Sequence, residues 1–195
     1  MKSTYEWVVV RIDGRIAAIS TNYAALAAIT AKLAQQKSPA YKKITADTLG
    51  FDDVWKIKEE AQWEDLMLFG TDFQKMVWRK LWELTHPVTN PEEAHHTQRL
   101  ISYSDFAGLC GNRAGVRAVA HAIGLNPISV IIPCHLVVPK ESIDRIREIR
   151  RKAESTIFKG EDLCLNSILE DTTIDFGEYS LGKELKRELI ILDMA

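Results

Sequence analysis

The chain has 195 residues, of which 46% are hydrophobic and 27% are charged, a composition typical of one globular domain or two small ones. Its apolar stretches are too short to span a bilayer, and no secretory signal peptide is predicted. The chain contains three cysteines that form no C-x-x-C pair: Cys110, Cys134 and Cys164. A disulfide framework or a thiolate zinc site is therefore not expected, and the reducing cytoplasm fits these thiols best.

The formal net charge of −2 conceals an uneven distribution along the chain. Between Thr97 and Lys152, nine Arg and Lys stand against four Asp and Glu, which is +5 for this segment and leaves −7 for the remainder. A basic segment in an acidic protein is typical of a surface that meets a polyanion. A solvated charged face explains the same pattern without any partner.

Residues 1–66 predict a small α+β domain. Two β-rich runs meet at Asp13-Gly14, a dipeptide typical of a tight hairpin. A run rich in Ala and Leu at helical spacing follows over residues 22–36. Because this part of the chain contains no catalytic constellation, we expect its role to be structural.

Residues 67–195 predict a second domain. Thr71 or Asp72 can cap a helix whose inward stripe is Phe73, Val77, Leu81 and Leu84. A polar loop follows over residues 85–98 and includes His86, His95 and His96. Histidines clustered in a loop are weak evidence for a metal, so no metal site is predicted there.

Residues 102–124 predict two helices separated by a turn at Gly111, which is helix-turn-helix spacing. The buried stripe of the second helix is predicted to be Val116, Val119 and Ile123. Its opposite face presents one long cation among smaller side chains: Ala114, Arg117, Ala118 and His121. Such a face suits close approach to a DNA groove, with Arg117 entering the base stack. A tight helix–helix contact with Arg117 in an ion pair explains the pattern equally well.

The segment "NPISVIIPCHLVV", residues 126–138, places Cys134 beside His135 in an apolar run otherwise suited to a buried strand. Cysteine attacks as the thiolate, so a catalytic cysteine needs a neighbour that promotes ionisation. An adjacent histidine serves if a third group orients it. Asn126 can tie the end of the second helix to the segment that contains Cys134. A buried structural cysteine is the alternative reading.

Four motifs occur in one order: "GTDFQKMVWRKLW", "ISYSDFAGLCG", "AGVRAVAHAIGLNPISVIIPCHLVV" and "EYSLGKELKRELI". Together they resemble the O6-alkylguanine-DNA alkyltransferases over residues 69–138 and 177–193. The resemblance implies an α+β fold with a ribonuclease H-like N-terminal domain and a mainly helical winged helix-turn-helix domain. It also implies irreversible transfer of an alkyl group from O6 of guanine, or from O4 of thymine, to cysteine. Double-stranded DNA would be the partner of a monomer, without cofactor, metal or membrane.

The resemblance also implies roles for individual residues. Cys134 would be the alkyl acceptor, and His135 the base that activates it through a water. Tyr103 would help to rotate the phosphate and would donate its hydroxyl to the leaving guanine. Arg117 would fill the stack after the base leaves, and Asn126 would be the hinge to the active site. The base pocket would be lined by Val137, Tyr179, Ser180 and Lys186.

The chain departs from the family pattern at four places. Leu136 stands where arginine is usual, and Asp193 is the acid available in place of a C-terminal glutamate. The 85–98 loop replaces a glycine-containing turn. Residues 139–178 replace a short turn and predict a helix with Ile143, Ile146, Ile149, Ala153 and Ile157 on one side. Its basic residues either grip flanking DNA phosphates or form a solvated face.

Two other functions remain compatible with these residues. An alkyltransferase-like protein binds lesions without transfer, although such proteins usually replace the acceptor cysteine that this chain retains. A helix-turn-helix regulator with a sensor thiol is the other alternative, and binding to one DNA sequence irrespective of damage would favour it.

Overall fold

The structure is a computed structural model. It describes residues 5–21, 43–86, 100–154 and 171–194, together with Tyr23, Ala27, Ala31 and Ile168. The strands in these residues are β1 (Trp7–Ile12), β2 (Arg15–Ser20), β3 (Ile44–Leu49), β4 (Ile101–Ser102) and β5 (Val137–Val138). The helices are α1 (Phe51–Glu60), α2 (Asp72–Trp82), α3 (Tyr103–Leu109), α4 (Val116–Gly124), α5 (Lys140–Glu154) and α6 (Lys183–Met194). None of the helices described is both long and apolar enough to cross a bilayer.

The mixed α/β chain divides into two compact units. The first unit contains Met1–His86 and His121–Cys134, and the second contains Pro87–Ala120 and His135–Ala195. These units group residues that are close in the folded chain and do not test which segments fold independently. The predicted division between residues 66 and 67 therefore stays a prediction. The helix predicted over residues 22–36 lies almost wholly outside the described residues.

The first unit is built on an antiparallel sheet with strand order β2-β1-β3. The hairpin prediction is confirmed: β1 and β2 are joined at Asp13 and Gly14, whose φ angles of 49° and 83° are both positive. Positive φ at both central residues matches the tight turn that follows strand twist, and Asp-Gly tolerates it. One face of the sheet forms a cluster of Val8, Val10, Ile12, Ala17 and Ala18.

Helix α2 begins at the predicted cap. Thr71 Oγ1 accepts a hydrogen bond from Gln74 N, and Gln74 Oε1 accepts one from Thr71 N. The helix buries Val77, Trp78, Leu81 and Trp82. Phe73 and Leu84 are only half-buried, so the predicted stripe is right in its middle and wrong at its ends. The helix ends at Trp82, before Leu84, and its buried residues include two tryptophans that the predicted stripe does not contain, Trp78 and Trp82.

In the second unit, β4 and β5 pair in parallel, with Ile101 opposite Val137 and Ser102 opposite Val138. Ser102 Oγ accepts a hydrogen bond from Asp105 N and thereby caps α3. A turn at Gly111, with φ of 68°, and a short 3-10 turn lead to α4. The helix, turn and helix that the spacing predicts are therefore present.

The two later helices of the second unit each bury one face. In α5, Ile143, Ile146 and Ile149 are buried as their spacing predicts, while the side chains of residues 153 and 157 lie outside the described residues. In α6, Leu185, Leu189 and Ile190 are buried together with two charged residues, Lys186 and Asp193. Since Lys186 and Asp193 are about two turns apart, they lie on one side of α6.

The cap of α2 provides a stability prediction. Replacing Thr71 with Ala removes the side-chain acceptor for Gln74 N, so we expect the free energy of unfolding to fall by about 1 kcal/mol. Urea denaturation measures the change, and Thr71→Ser is the matched control because it retains a hydroxyl. Equal stabilities for the Ala and Ser variants would show that the cap contributes nothing.

Candidate active site

Asn126, just after α4, organises the segment that leads to Cys134. Its Nδ2 donates to Cys134 Sγ at 3.0 Å and to Ile132 O at 2.8 Å. Its Oδ1 accepts from Ile128 N at 3.0 Å, so both ends of the amide are used. Asn126 and Cys134 are buried. The link between the helix end and the cysteine segment that the sequence predicts is therefore present, and it reaches the sulfur itself.

The segment 126–134 is a buried loop and not the strand that its apolar composition suggests. Pro127 and Pro133 supply no backbone N–H, and Val130 adopts a positive φ of 72°. Successive turns close it, with Ile132 N donating to Ile128 O at 3.0 Å. A β-branched residue in the left-handed region costs about 1–3 kcal/mol, which the surrounding contacts must offset.

This loop docks on the sheet of the first unit. Ile19 N donates to Pro127 O at 3.0 Å, and Ser129 N donates to Ile19 O at 3.2 Å. The last strand of the N-terminal hairpin thus holds the start of the cysteine loop. The structural role predicted for the N-terminal residues takes a specific form here, because β2 supports the loop that ends at Cys134.

His135 belongs to the second unit and is paired with Asp193 of α6. The distance between His135 Nε2 and Asp193 Oδ2 is 2.6 Å, and both side chains are buried. Aspartate is one methylene shorter than glutamate, but its reach is sufficient at this position in α6. A buried histidine bonded to a carboxylate has a fixed ring orientation, which is what a general base requires.

Four further predicted site residues make contacts within the second unit. Lys186 Nζ donates to Val137 O at 2.9 Å and lies 5.7 Å from the centre of the Tyr103 ring. The Tyr179 ring packs edge-on against His135, with centroids 6.5 Å apart. Lys186 therefore contacts Val137 and Tyr103, and Tyr179 contacts His135. The assignment of these residues to a base pocket stays a prediction.

The remaining predicted residues are solvent-exposed. Ser180 follows Tyr179 and is exposed. The side of α4 and its preceding turn that was predicted to face DNA is also exposed: Ala114, Arg117, Ala118 and His121. Val119 and Ile123 are buried and Val116 is half-buried, in agreement with the predicted stripe.

The burial of Leu136 accounts for the apolar residue at a position where the family pattern has arginine. Its side chain is fully buried, as are those of Val137 and Val138 that follow it. An apolar residue at this position contributes to the core of the second unit, where an arginine would have to bring its charge out of water. The substitution is thus matched to its surroundings.

The histidine loop is described only at its beginning. His86 stacks on Trp82, with ring centroids 3.6 Å apart, and its Nδ1 lies 3.0 Å from Thr85 Oγ1. Burial lowers the pKa of His86. The rest of the 85–98 loop, with His95 and His96, lies outside the described residues, as does Cys164.

Two features of the structure could not be predicted from the sequence. Val130 gives no indication of a positive φ, since Gly and Asn are the usual residues there. Arg187 reads as an ordinary helix cation, yet it donates to the backbone oxygens of Ile168 and Asp171 at 2.7 Å each. Arg187 of α6 thereby holds the backbone at Ile168 and Asp171, which lie in the segment before that helix.

Part of this chain resembles a known protein family. Residues 95–155 match the family described as 6-O-methylguanine DNA methyltransferase, DNA binding domain. The resemblance to the O6-alkylguanine-DNA alkyltransferase family that the sequence predicts is confirmed over these residues.

Two known relatives match part of this chain. A probable methylated-DNA–protein-cysteine methyltransferase of Acanthamoeba polyphaga mimivirus is 44% identical over 78 residues, 40% of this chain and 45% of that protein. The inducible methylated-DNA–protein-cysteine methyltransferase of Bacillus subtilis (strain 168) is 41% identical over 71 residues, 36% of this chain and 34% of that protein. The matched sequence therefore spans less than half the length of these two relatives.

The similarity in fold extends further than the similarity in sequence. The crystal structure of O6-methylguanine-DNA methyltransferase from Pyrococcus kodakaraensis strain KOD1 matches 96% of this chain and 91% of its own, with a TM-score of 0.52 at 20% identity. At this identity the match concerns the fold alone. The mixed α/β architecture is therefore common to both chains.

The buried His135–Asp193 pair provides a second stability prediction. Replacing Asp193 with Ala removes the carboxylate from a buried ring nitrogen, so we expect the free energy of unfolding to fall by about 2–3 kcal/mol. The control is Glu60→Ala, which removes one partner of the exposed Lys56–Glu60 pair, 3.9 Å apart. Urea denaturation compares the two, and an equally small effect of both would contradict the structural importance of the buried pair.

Proposed function

We propose that the protein repairs DNA directly, by transferring an alkyl group from O6 of guanine in duplex DNA to Cys134, once per molecule. The observation that carries this proposal is the hydrogen bond from Asn126 Nδ2 to Cys134 Sγ. An amide donor on a buried sulfur stabilises the thiolate relative to the thiol. A cysteine that served only to fill the core would need no such donor.

His135 follows Cys134 in the chain and is the proposed proton acceptor. Its hydrogen bond with Asp193 supports this role. An ionised carboxylate only accepts hydrogen bonds, so the proton of a neutral imidazole lies on Nε2, facing Asp193. The lone pair then lies on Nδ1, and this nitrogen takes the thiol proton through a water. Asp193 stabilises the imidazolium that forms, as the third member of a nucleophile–base–orienter set.

The proposed reaction balances without a cofactor. The thiolate attacks the alkyl carbon, a carbon–sulfur bond forms, and the bond between that carbon and O6 breaks. The electron pair leaves with guanine, which regains a proton and becomes the undamaged base. Tyr103 is the proposed donor to the leaving oxygen. Since the thioether is stable, each molecule reacts once.

The target oxygen lies inside the duplex, so the nucleotide must be flipped at a cost of a few kcal/mol. Arg117 is exposed on α4 with small neighbours at Ala114 and Ala118, and it is the proposed group that fills the vacated stack. The pocket for the flipped base is proposed to involve Val137, Tyr179, Ser180 and Lys186. A ribonuclease H-like N-terminal domain and a winged helix-turn-helix are the finer architecture that the family resemblance implies, and we propose them for this chain.

Mass spectrometry tests the transfer. After incubation with a duplex that contains one O6-methylguanine, we expect a single added methyl group on the peptide that contains Cys134. Cys134→Ser is expected to gain none, and Cys110→Ser, the matched control, is expected to react like the wild type. Lesion-selective binding without transfer would instead identify a protein that flags damage. A preference for one undamaged DNA sequence would identify a regulator.

The proton-accepting role of His135 predicts a pH-dependent defect. We expect His135→Gln to slow methyl transfer by about 10²–10⁴-fold at pH 7, the usual contribution of a general base. The defect should shrink as the pH rises from 7 to about 10, because hydroxide in solution can then remove the thiol proton in place of His135. Single-turnover rates across this range decide the matter, with Asp193→Glu as the variant that keeps a carboxylate. A defect that stays constant with pH would mean that His135 only supports the loop.

A further inference from the structure

Helix α5 separates its charges onto two flanks. The buried residues Ile143, Ile146 and Ile149 define its packed side. At about 100° per residue, one flank of that side carries four exposed basic residues, here called the basic flank: Lys140, Arg147, Arg150 and Arg151. The opposite flank is balanced, with two acidic and two basic residues: Glu141, Arg145, Glu148 and Lys152.

Ion pairs neutralise the balanced flank and leave most of the basic flank unneutralised. Arg145 lies 2.9 Å from Glu148 and 2.9 Å from Asp171, and Lys152 Nζ lies 2.6 Å from Glu148. On the basic flank, Arg147 lies 3.5 Å from Asp144. Within the described part of the chain, neither Arg150 nor Arg151 takes part in an ion pair. The basic flank therefore presents a net positive charge to solvent.

The second unit holds α5 in a defined position. Ser142 Oγ donates to Asp175 O, and Arg145 pairs with Asp171. Arg187 holds the backbone around Asp171 from the side of α6. The helix also contacts β4, the short strand that leads directly into α3. The basic flank is thus part of the same unit as α3 and the start of α4.

We propose that the basic flank of α5 is a second DNA-contacting surface, which binds backbone phosphates in addition to the contact proposed for Arg117 of α4. The inference rests on the proposed function for the identity of the partner, duplex DNA. Lys140 to Arg151 spans about 16 Å of helix. This length corresponds to about five phosphates of one strand at roughly 3.4 Å each.

The chemistry of the flank favours phosphates over bases. It presents one Lys and three Arg beside a single exposed acid, Asp144, and guanidinium groups bind phosphate oxygens in a bidentate manner. Phosphate contacts fix the position of a protein on DNA and carry no sequence information. A repair protein must find damage in any sequence, so a non-specific second contact suits it. The surface would retain the protein on DNA without selecting a site.

The salt dependence of DNA binding tests the inference. The variant R147Q/R150Q/R151Q removes three charges from the flank, and K43Q/K56Q/K75Q removes three from exposed positions of the first unit. For an undamaged duplex of about 20 base pairs, each lost phosphate contact reduces the slope of log K against log salt by about 0.9. We expect the flank variant to lose about 1–3 units of slope, and the control to keep the wild-type value.

Each outcome separates this inference from the proposed function. R147K/R150K/R151K should keep the wild-type slope, which shows that charge and not helix stability is measured. A reduced slope in the Gln variant supports the inference even if the wild type transfers no methyl group. An unchanged slope in a Gln variant that still transfers methyl overturns the inference and leaves the proposed function intact. Failure of the wild type to bind DNA overturns both.

Discussion

The site depends on one side chain, the amide of Asn126. It holds the sulfur of Cys134, the carbonyl of Ile132 and the N–H of Ile128 at the same time. A buried loop needs such an internal partner, because its backbone groups are removed from water and each unsatisfied group is costly. The same amide therefore provides hydrogen-bond partners for the loop backbone and a donor for the sulfur of the proposed nucleophile. Folding and chemistry share one hydrogen-bonding group at this position.

The proposed catalytic residues come from separate parts of the chain: Cys134 and His135 are neighbours, and Asp193 lies on α6. The loop that ends at Cys134 belongs to the first unit and is hydrogen-bonded to β2. His135 belongs to the second unit, as does α6. One face of α6 supplies both Asp193 for the histidine and Lys186 for Val137 O. A single helix thus positions two buried charges, and the apolar residues between them anchor it. The positions of Asp193 and Lys186 therefore depend on how the buried residues of α6 pack.

Local patterns in the sequence predict much of this arrangement. Asp13-Gly14 predicts the hairpin, Thr71 predicts the helix cap, and the isoleucine spacing in α5 predicts its buried side, because each depends on neighbouring residues. The conformation of residues 126–134 is not predictable in this way. Apolar composition there favours a strand, but two prolines and the positive φ of Val130 produce turns that only tertiary contacts stabilise. The hydrogen bond between His135 and Asp193, 58 positions apart, likewise depends on the fold, and spacing alone identified only its candidate acid.

The stoichiometry of transfer tests the central claim that Cys134 is an alkyl acceptor used once. The protein is titrated with an excess of duplex that contains methyl-labelled O6-methylguanine, and the label on protein and the guanine restored in DNA are both counted. The account predicts a plateau at one methyl group per molecule, with one guanine restored for each. Continued turnover beyond one, or a plateau near zero for a folded protein that binds the lesion, would contradict it.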